Sequence, residues 1–401
     1  MIPLSRAKNL ILKNTSFLPV EQKDFQAALG RSLAQDIIAT SDWPPFARAT
    51  MDGFALRSVD VSFRQRKTSL ALAVVGESKA GRPFSRVIRQ GQAVKISTGA
   101  VVPRGADSVV ARECAKMTGG KVFILQKVFF GQYIRRQGDD AKKGAKLILQ
   151  GAAVTPGVVA LLANLGQTRI KVYKTPRVGI ITTGDELVGL GSNLRVGQIR
   201  SCNEYGLAAQ VTQLGVKPFI LGRAKDDLVS LTQKVRQGLS YDVLLISGGV
   251  SVGDHDLVRR ALKKLNVREI FWKVAVKPGK PLVFAKKGKC HVFGLPGNTV
   301  ASMVSFYTFV LPCIAKMSGR LSDPSYSTEA ILAQDIFDAD QRTKIFRGIV
   351  FERKGKRYVR LSADQISENI LSMAKANSLF TVKAQSRSLK KGTRVKIEYM
   401  A

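Results

Sequence analysis

Between Tyr241 and Asp256 the chain reads YDVLLISGGVSVGDHD, an apolar run that breaks into glycines and then acids. Val243–Ile246 is rich in bulky apolar residues and reads as a buried strand. Ser247, Gly248, Gly249, Ser251 and Gly253 fall in the turn, Asp254 and Asp256 follow, and Leu257–Leu265 continues with helical spacing. A strand feeding a glycine-rich turn that opens a helix is where an open α/β sheet binds its ligand. Backbone N–H groups in such a turn suit phosphate or another oxyanion. Acids in the same turn repel that anion unless a divalent cation lies between them. The run therefore points to an anionic substrate handled with Mg²⁺.

Three further segments carry related chemistry. Thr182-Thr183-Gly184-Asp185-Glu186-Leu187 follows the apolar run Val178–Ile181, so it lies at the same carboxyl edge of a sheet. Glu186 there could bind a ring N–H donor or a metal, or simply serve as a first-turn acid. Lys273-Val-Ala-Val-Lys277-Pro278-Gly279-Lys280-Pro281 gathers three lysines around a Pro-Gly turn. In an extended run Lys273 and Lys277 face the same way, and two ammonium groups on one side suit an oxyanion. Gly294-Leu-Pro296-Gly297-Asn298 offers another glycine turn at a helix start, with Asn298 or Thr299 able to cap the helix. Elsewhere Asp52, Ser97-Thr98-Gly99 and Arg135-Arg136-Gln-Gly138-Asp139-Asp140 place acids and cations on turns, each also readable as ordinary turn chemistry.

The elements that must position these residues divide the chain of 401 residues into several cores. Pro3–Asn14 has an amphipathic helical pattern, and Val20–Leu33 reads as a second helix. Ser41–Pro45 is extended, since Pro44 and Pro45 disfavour helix. From Met51 to about Phe129 short β-rich runs punctuated by Gly and Pro read as a small all-β insertion. Thr155–Leu165 is a helix. Strands and helices then alternate to Ile314, which argues for an α/β domain with a mostly parallel sheet. Beyond Asp323 the pattern is β again.

The composition removes several alternatives. With His255 and His291 as its two histidines the chain lacks an HExxH zinc motif, and a Ser-His-Asp triad is disfavoured. Cys114, Cys202, Cys290 and Cys313 form no CxxC pair, and their wide spacing fits a reducing cytoplasm. Val292–Ala315 carries no full charge and has transmembrane length, but Gly294, Pro296, Gly297 and Asn298 break it near its start, which favours a buried core helix over a membrane span. The net charge of +35, from 64 Lys and Arg against 29 Asp and Glu, attracts polyanions. No basic motif interleaved with aromatics supports nucleic-acid binding.

Taken together, PPFARATMDGFAL, GESKAG, ISTGAVVPRGADSVV, IRRQGDDAKKG, TPRVGIITTGDEL, SGGVSVGDHD, FWKVAVKPGKP and GLPGN closely resemble, in order, the molybdopterin molybdenumtransferase family, the molybdenum insertases of the MoeA and gephyrin E-domain type. The resemblance covers nearly the whole chain. It implies a multidomain α/β plus β protein: residues 1–20 with 172–319 as a molybdopterin-binding α/β domain, 21–45 with 135–171 as a linking helical and mixed domain, 46–134 as an inserted β domain, and 320–401 as a C-terminal β domain. It implies a cytoplasmic homodimer that inserts molybdate into adenylylated molybdopterin with release of AMP, assisted by Mg²⁺, with a molybdopterin adenylyltransferase as transient partner.

By motif position the resemblance carries over Asp52, Thr98, Asp140, Glu186, Lys273 and Lys277 as reacting or holding groups. Asp226, competing with Asp227 for the aligned position, and Asp256 would take Mg²⁺. Arg135, Arg136, Thr183, Gly184, Asp185, Ser247, Gly248, Gly249, Ser251, Gly253, Pro278, Pro296, Gly297, Asn298 and Ser372 would contact substrate. Two departures stand out: Thr299 follows Asn298 where the family commonly has Pro, and Phe54 replaces a common Tyr. The competing readings are a molybdopterin adenylyltransferase on the same α/β fold, and a non-catalytic scaffold or nucleic-acid-binding protein.

Overall fold

The computed structural model describes residues 1–61, 71–250, 256–320, 327–337, 342–384 and 388–400. Ser251 and Gly253, with Asp254 and His255, lie outside them. The chain forms two compact units, Met1–Gln35 with Gln150–Ala401, and Asp36–Leu149.

The larger unit is built on a six-stranded sheet of β1 (Val178–Thr183), β2 (Pro218–Ala224), β3 (Val243–Ser247), β4 (Arg268–Trp272), β5 (Val283–Lys287) and β6 (Cys290–Leu295). Their spatial order is β2-β1-β3-β6-β5-β4. Pairings among β2, β1, β3 and β6 are parallel, and β5 runs antiparallel to both neighbours. The central strands are apolar at every position because both faces are covered, and alternation sorts the side chains. Ile180, Val243 and Leu245 point into one core, while Ile181, Leu244 and Ile246 point into another.

Helix α1 (Leu4–Asn14), α2 (Asn203–Gln213) and the long α5 (Thr299–Met317) cover the first face, with Ile11, Val211 and Phe309 in its core. Helices α3 (Leu228–Gly238) and α4 (Leu257–Lys264) cover the second. Leu231 and Val235 of α3 and Val258, Ala261 and Leu262 of α4 give the i, i+3, i+4 stripe that docks there. The 19 residues of α5 are long and apolar enough to cross a membrane, yet most are buried in the protein core, as the sequence favours. Its turns widen to π geometry at Phe306–Val310, just before Pro312, which has no N–H to offer the preceding turn.

In the same unit, strands Ser327–Leu332, Thr343–Arg353, Lys356–Leu361, Ser378–Val382 and Arg394–Tyr399 close into a barrel around Phe346, Val359, Phe380 and Ile397. The short strand Val276–Lys277 adds to its edge in parallel with Thr343–Lys344, so the Pro278–Pro281 turn is carried on the barrel side. The smaller unit holds a six-stranded sheet, in the order Ser108–Ala111, Gly53–Leu56, Gln92–Ile96, Ala71–Ser78, Lys121–Ile124 and Ala115–Thr118, packed on Leu56, Leu72, Val110 and Val122.

The helix expected over Val20–Leu33 does not form. Val20–Asp24 is a strand, antiparallel to Arg169–Tyr173, and the Asp24 carboxylate accepts from Gln26 N (2.9 Å) to turn the chain. Exposure along VEQKD alternates with period two, and pairing with a distant strand outweighs the weak local helical signal.

Candidate active site

Chain order reverses between β1 and β3: from β1 the chain crosses to β2 on one side, then returns to β3 on the other. Their carboxyl ends open a crevice of about 500 Å³. Thr183 at the end of β1 with Gly184 and Glu186 beyond it, Asp226 after β2, and Ser247 at the end of β3 with Gly248 and Gly249 beyond it line it. Gly297, Asn298 and Thr299 complete it from the start of α5.

Hydrogen bonds knit these turns together. Thr183 Oγ1 donates to Asp226 Oδ1 (2.7 Å), Asp185 N donates to Asp226 Oδ2 (3.3 Å), and Asp226 N donates to Asp185 Oδ1 (3.1 Å). Asp227 instead caps α3 by accepting from Ser230 N (2.7 Å). Of the two competing acids, Asp226 is therefore the one at the crevice. The Ser247 hydroxyl donates to Pro296 O (3.2 Å), and Asn203 Nδ2 reaches both Ser247 Oγ (2.8 Å) and Gly297 O (2.6 Å). The two glycine turns are thus held against one another by one amide from the start of α2.

Glycine is required where these turns crowd. A Cβ on Gly248 (φ +97°) would stand 2.4 Å from Thr183 O. One on Gly184 would stand 2.6 Å from Glu186 Oε2, because the Glu186 carboxylate folds back over that residue.

A second cavity of about 400 Å³ shares Asn298 with the first. It is lined by Lys277, Pro278, Lys280, Pro296, Arg342 and Ser367. The expectation that Lys273 and Lys277 share one face of an extended run fails. Lys273 has φ +64°, which breaks the alternation, and its ammonium stands 3.6 Å from the Trp272 ring centroid. Lys277 lines the second cavity and Lys273 lines neither. Asn298 does not cap α5 with its side chain. Its Nδ2 donates to Glu368 Oε1 (2.7 Å) and Ser367 Oγ (3.2 Å), joining the crevice rim to a loop of the barrel.

Two more expected residues sit elsewhere. Asp256 is buried as the N-cap of α4, its Oδ1 accepting from Arg259 N (3.0 Å) and its Oδ2 without a hydrogen-bond partner among the described residues. Burial pushes its pKa up, the Arg259 N–H and charge opposing. Ser372 is fully buried and lines neither cavity. Its Oγ accepts from Arg347 Nε (3.1 Å) and donates to Asn369 O (2.6 Å). Arg347 itself is buried and donates to the Asp364 and Ile366 carbonyls, and burial lowers its pKa to about 10. Ser372 was expected to touch substrate. The packing makes it a partner of a buried guanidinium that pins residues 364–372.

The smaller unit carries Asp52, Thr98, Arg135, Arg136 and Asp140. Asp52 Oδ1 accepts from Thr98 N (2.6 Å) and Thr98 Oγ1 (2.8 Å), which holds the carboxyl below its ordinary value of 3.8, the backbone N–H being the larger cause. Arg135 is tied to Asp140 through Nε (3.1 Å) and Nη2, which raises its own pKa. The Arg136 guanidinium lies over the Phe130 ring. The expected residues thus come together as pairs, Asp52 with Thr98 and Arg135 with Asp140.

Sequence reasoning passed over Arg200, Cys202 and Asn203, which line the crevice, and Arg342 in the second cavity. The first three stand in one run, IRSCN, which leads into the first residue of α2. A polar cluster at a predicted helix start in the α/β domain is the signal that could have marked them.

Residues 2–166 match the family described as the MoeA N-terminal region (domain I and II). Residues 179–316 match that described as a probable molybdopterin binding domain, and 329–399 match the MoeA C-terminal region (domain IV). A molybdopterin molybdenumtransferase of Haemophilus influenzae is 34% identical over 99% of this chain and 98% of its own length. Its Bacillus subtilis namesake is 35% identical over 92% of this chain and 87% of its own. The crystal structure of a molybdopterin biosynthesis MoeA protein from Pyrococcus horikoshii superposes with a TM-score of 0.86, at 29% identity, over 100% of both chains. With its three regions in the same order and at these identities, the chain belongs to the MoeA family of molybdopterin molybdenumtransferases.

Proposed function

We infer that this chain is a transferase that inserts molybdenum into molybdopterin, taking molybdate as metal donor and adenylylated molybdopterin as acceptor, and releasing AMP. The observation that carries this reading is the adjacency of two unlike cavities that share Asn298. One is a crevice of glycine turns with Glu186 and Asp226. The other is lined by Lys277, Lys280 and Arg342. The basic cavity suits an oxyanion such as molybdate. The crevice suits the pterin and phosphate body of the acceptor, with Glu186 held over Gly184 to accept ring N–H groups.

Asp226 presents its carboxylate to the crevice and would hold Mg²⁺ there; Asp256, outside the crevice lining but with a buried Oδ2 that has no hydrogen-bond partner among the described residues, is proposed as a second oxygen ligand. Magnesium is commonly held by one or two carboxylates together with substrate phosphates, so no larger acidic cage is needed. When bound, Mg²⁺ supplies charge that offsets the phosphate oxygens as the adenylate is cleaved. Asp226 is oriented for that role by Thr183 Oγ1 and Asp185 N. The chain is proposed to pair as a homodimer. A molybdopterin adenylyltransferase would hand over the acceptor in the cytoplasm.

Purified protein is incubated with adenylylated molybdopterin, molybdate and Mg²⁺, and AMP release is followed with reconstitution of a molybdenum enzyme. Release that needs all three components supports the reading, with Glu186→Ala and Lys277→Ala abolishing insertion in folded protein. No AMP release from the wild type refutes it. Light scattering at micromolar concentration tests the homodimer.

A further inference from the structure

The crevice has an imbalance that its motifs do not resolve. Its acids, Glu186 and Asp226, face a space proposed to take a phosphorylated ligand, while the lysines expected to neutralise that ligand lie elsewhere. Among the described residues lining the crevice, Arg200 is the one cation. It is exposed, and its position is set by backbone pairing. Strand Ile199–Arg200 runs parallel to Leu187–Val188, with Ile199 N donating to Glu186 O and Ser201 N to Val188 O, both 2.9 Å. Glu186, which immediately precedes one strand, and Arg200, which lies on the other, are therefore brought close by the same pairing.

The guanidinium is also oriented. Nε donates to Leu190 O (3.0 Å) and Nη2 to Ser192 O (3.4 Å), so part of the fork braces the loop between the two short strands. A guanidinium has five N–H donors, and these two bonds leave donors of the planar fork for an anion.

We propose that Arg200 is an anion-binding residue of this crevice, placed to take the phosphate oxygens of the adenylylated acceptor and to offset the charge of Glu186 and Asp226. The inference rests on the insertase reading for the identity of the phosphate, but the cation and its placement do not depend on it. Arg200 thus does in the crevice what Lys277, Lys280 and Arg342 do in the neighbouring cavity.

Three variants separate charge from loop bracing. Arg200→Lys keeps the charge and loses the fork. Arg200→Gln keeps amide donors for the loop carbonyls and loses the charge. Arg200→Ala loses both. AMP binding is measured by calorimetry on the full chain at low and high NaCl, and the KM and kcat of insertion are measured alongside. AMP affinity is expected to fall by about tenfold or more in both the Gln and Ala variants, with Lys retaining most of it, because a charge-assisted bond is lost. The ionic-strength dependence of binding flattens in the same two variants. KM for the acceptor rises while kcat changes little.

Wild-type affinity and salt dependence in Arg200→Gln overturn the proposal and leave the insertase reading standing. Loss in Arg200→Ala with retention in Arg200→Gln also overturns it, since loop bracing alone would then be at work. A wild type that binds AMP through Arg200 yet inserts no molybdenum overturns the insertase reading and supports the anion site.

Discussion

The close approach of two turns at the crevice makes Gly248→Ala a decisive substitution. Gly248 has φ +97°, and an added Cβ would lie 2.4 Å from Thr183 O and 3.2 Å from Thr183 Cγ2. The carbonyl has little room to retreat: Thr182 pairs with Ser247 and Thr183 with Ala224, so β1 is held on both sides. A left-handed alanine costs about 1–2 kcal/mol, and forcing a methyl into a packed site adds about 1–3 kcal/mol. The expected destabilisation is about 2–5 kcal/mol. Gly288 is the internal control. It has φ +54° in the β5–β6 hairpin, and a Cβ there meets nothing within 4 Å, so Gly288→Ala bears the backbone term alone. Urea unfolding of both variants by circular dichroism gives the difference. Any shift of Thr183 also moves the hydroxyl that orients Asp226, so insertion should fall in Gly248→Ala and not in Gly288→Ala. Equal destabilisation of the two variants would refute the claim that close packing of the turns, rather than dihedral preference, requires glycine at 248.

Three other perturbations test separate parts of the reading. Asp256→Ala removes the α4 cap and should cost about 0.5–2 kcal/mol, whereas Asp256→Asn keeps an oxygen for Arg259 N and should stay near wild type. In thermal melts with and without Mg²⁺ the Asn variant should lose the Mg²⁺-dependent gain, and a preserved gain would show that Asp256 does not hold the ion. Asp52, with its pKa depressed, contributes stability that is present above its ordinary value of 3.8 and lost as pH falls through the lower one. Thr98→Val keeps the backbone N–H, the larger cause, so a carboxyl NMR titration should find the Asp52 pKa raised only part of the way back and acid unfolding starting at slightly higher pH. Full return to the ordinary value would mean the hydroxyl dominates. Ser372→Ala leaves the buried Arg347 Nε without its acceptor and should cost about 1–3 kcal/mol with KM unchanged. A raised KM at unchanged stability would restore Ser372 to the substrate.

Much of this protein is written in local pattern. The alternation of Val178–Ile181 and Val243–Ile246 with helices of apolar spacing determines a parallel α/β core, because strands buried on both faces need apolar residues throughout and helices need one stripe. The glycine turns mark the carboxyl edge for the same reason: a strand-to-helix turn that packs closely has no room for a Cβ. Long-range placement is not written that way. Neighbours in sequence, Asp226 and Asp227 are divided between crevice and helix cap by where β2 ends. Lys273 and Lys277 part because one left-handed residue breaks the extended run that would have aligned them. Val20–Asp24 became a strand through a partner far along the chain. Arg200 and Asn203 reach the site only because the sheet order brings the turns after β1, β3 and β6 to one edge. Periodicity and turn chemistry act over a few residues and can be read from the sequence. Which turns meet, and which cation faces which acid, is decided by strand order and register, set by packing contacts summed over the whole core.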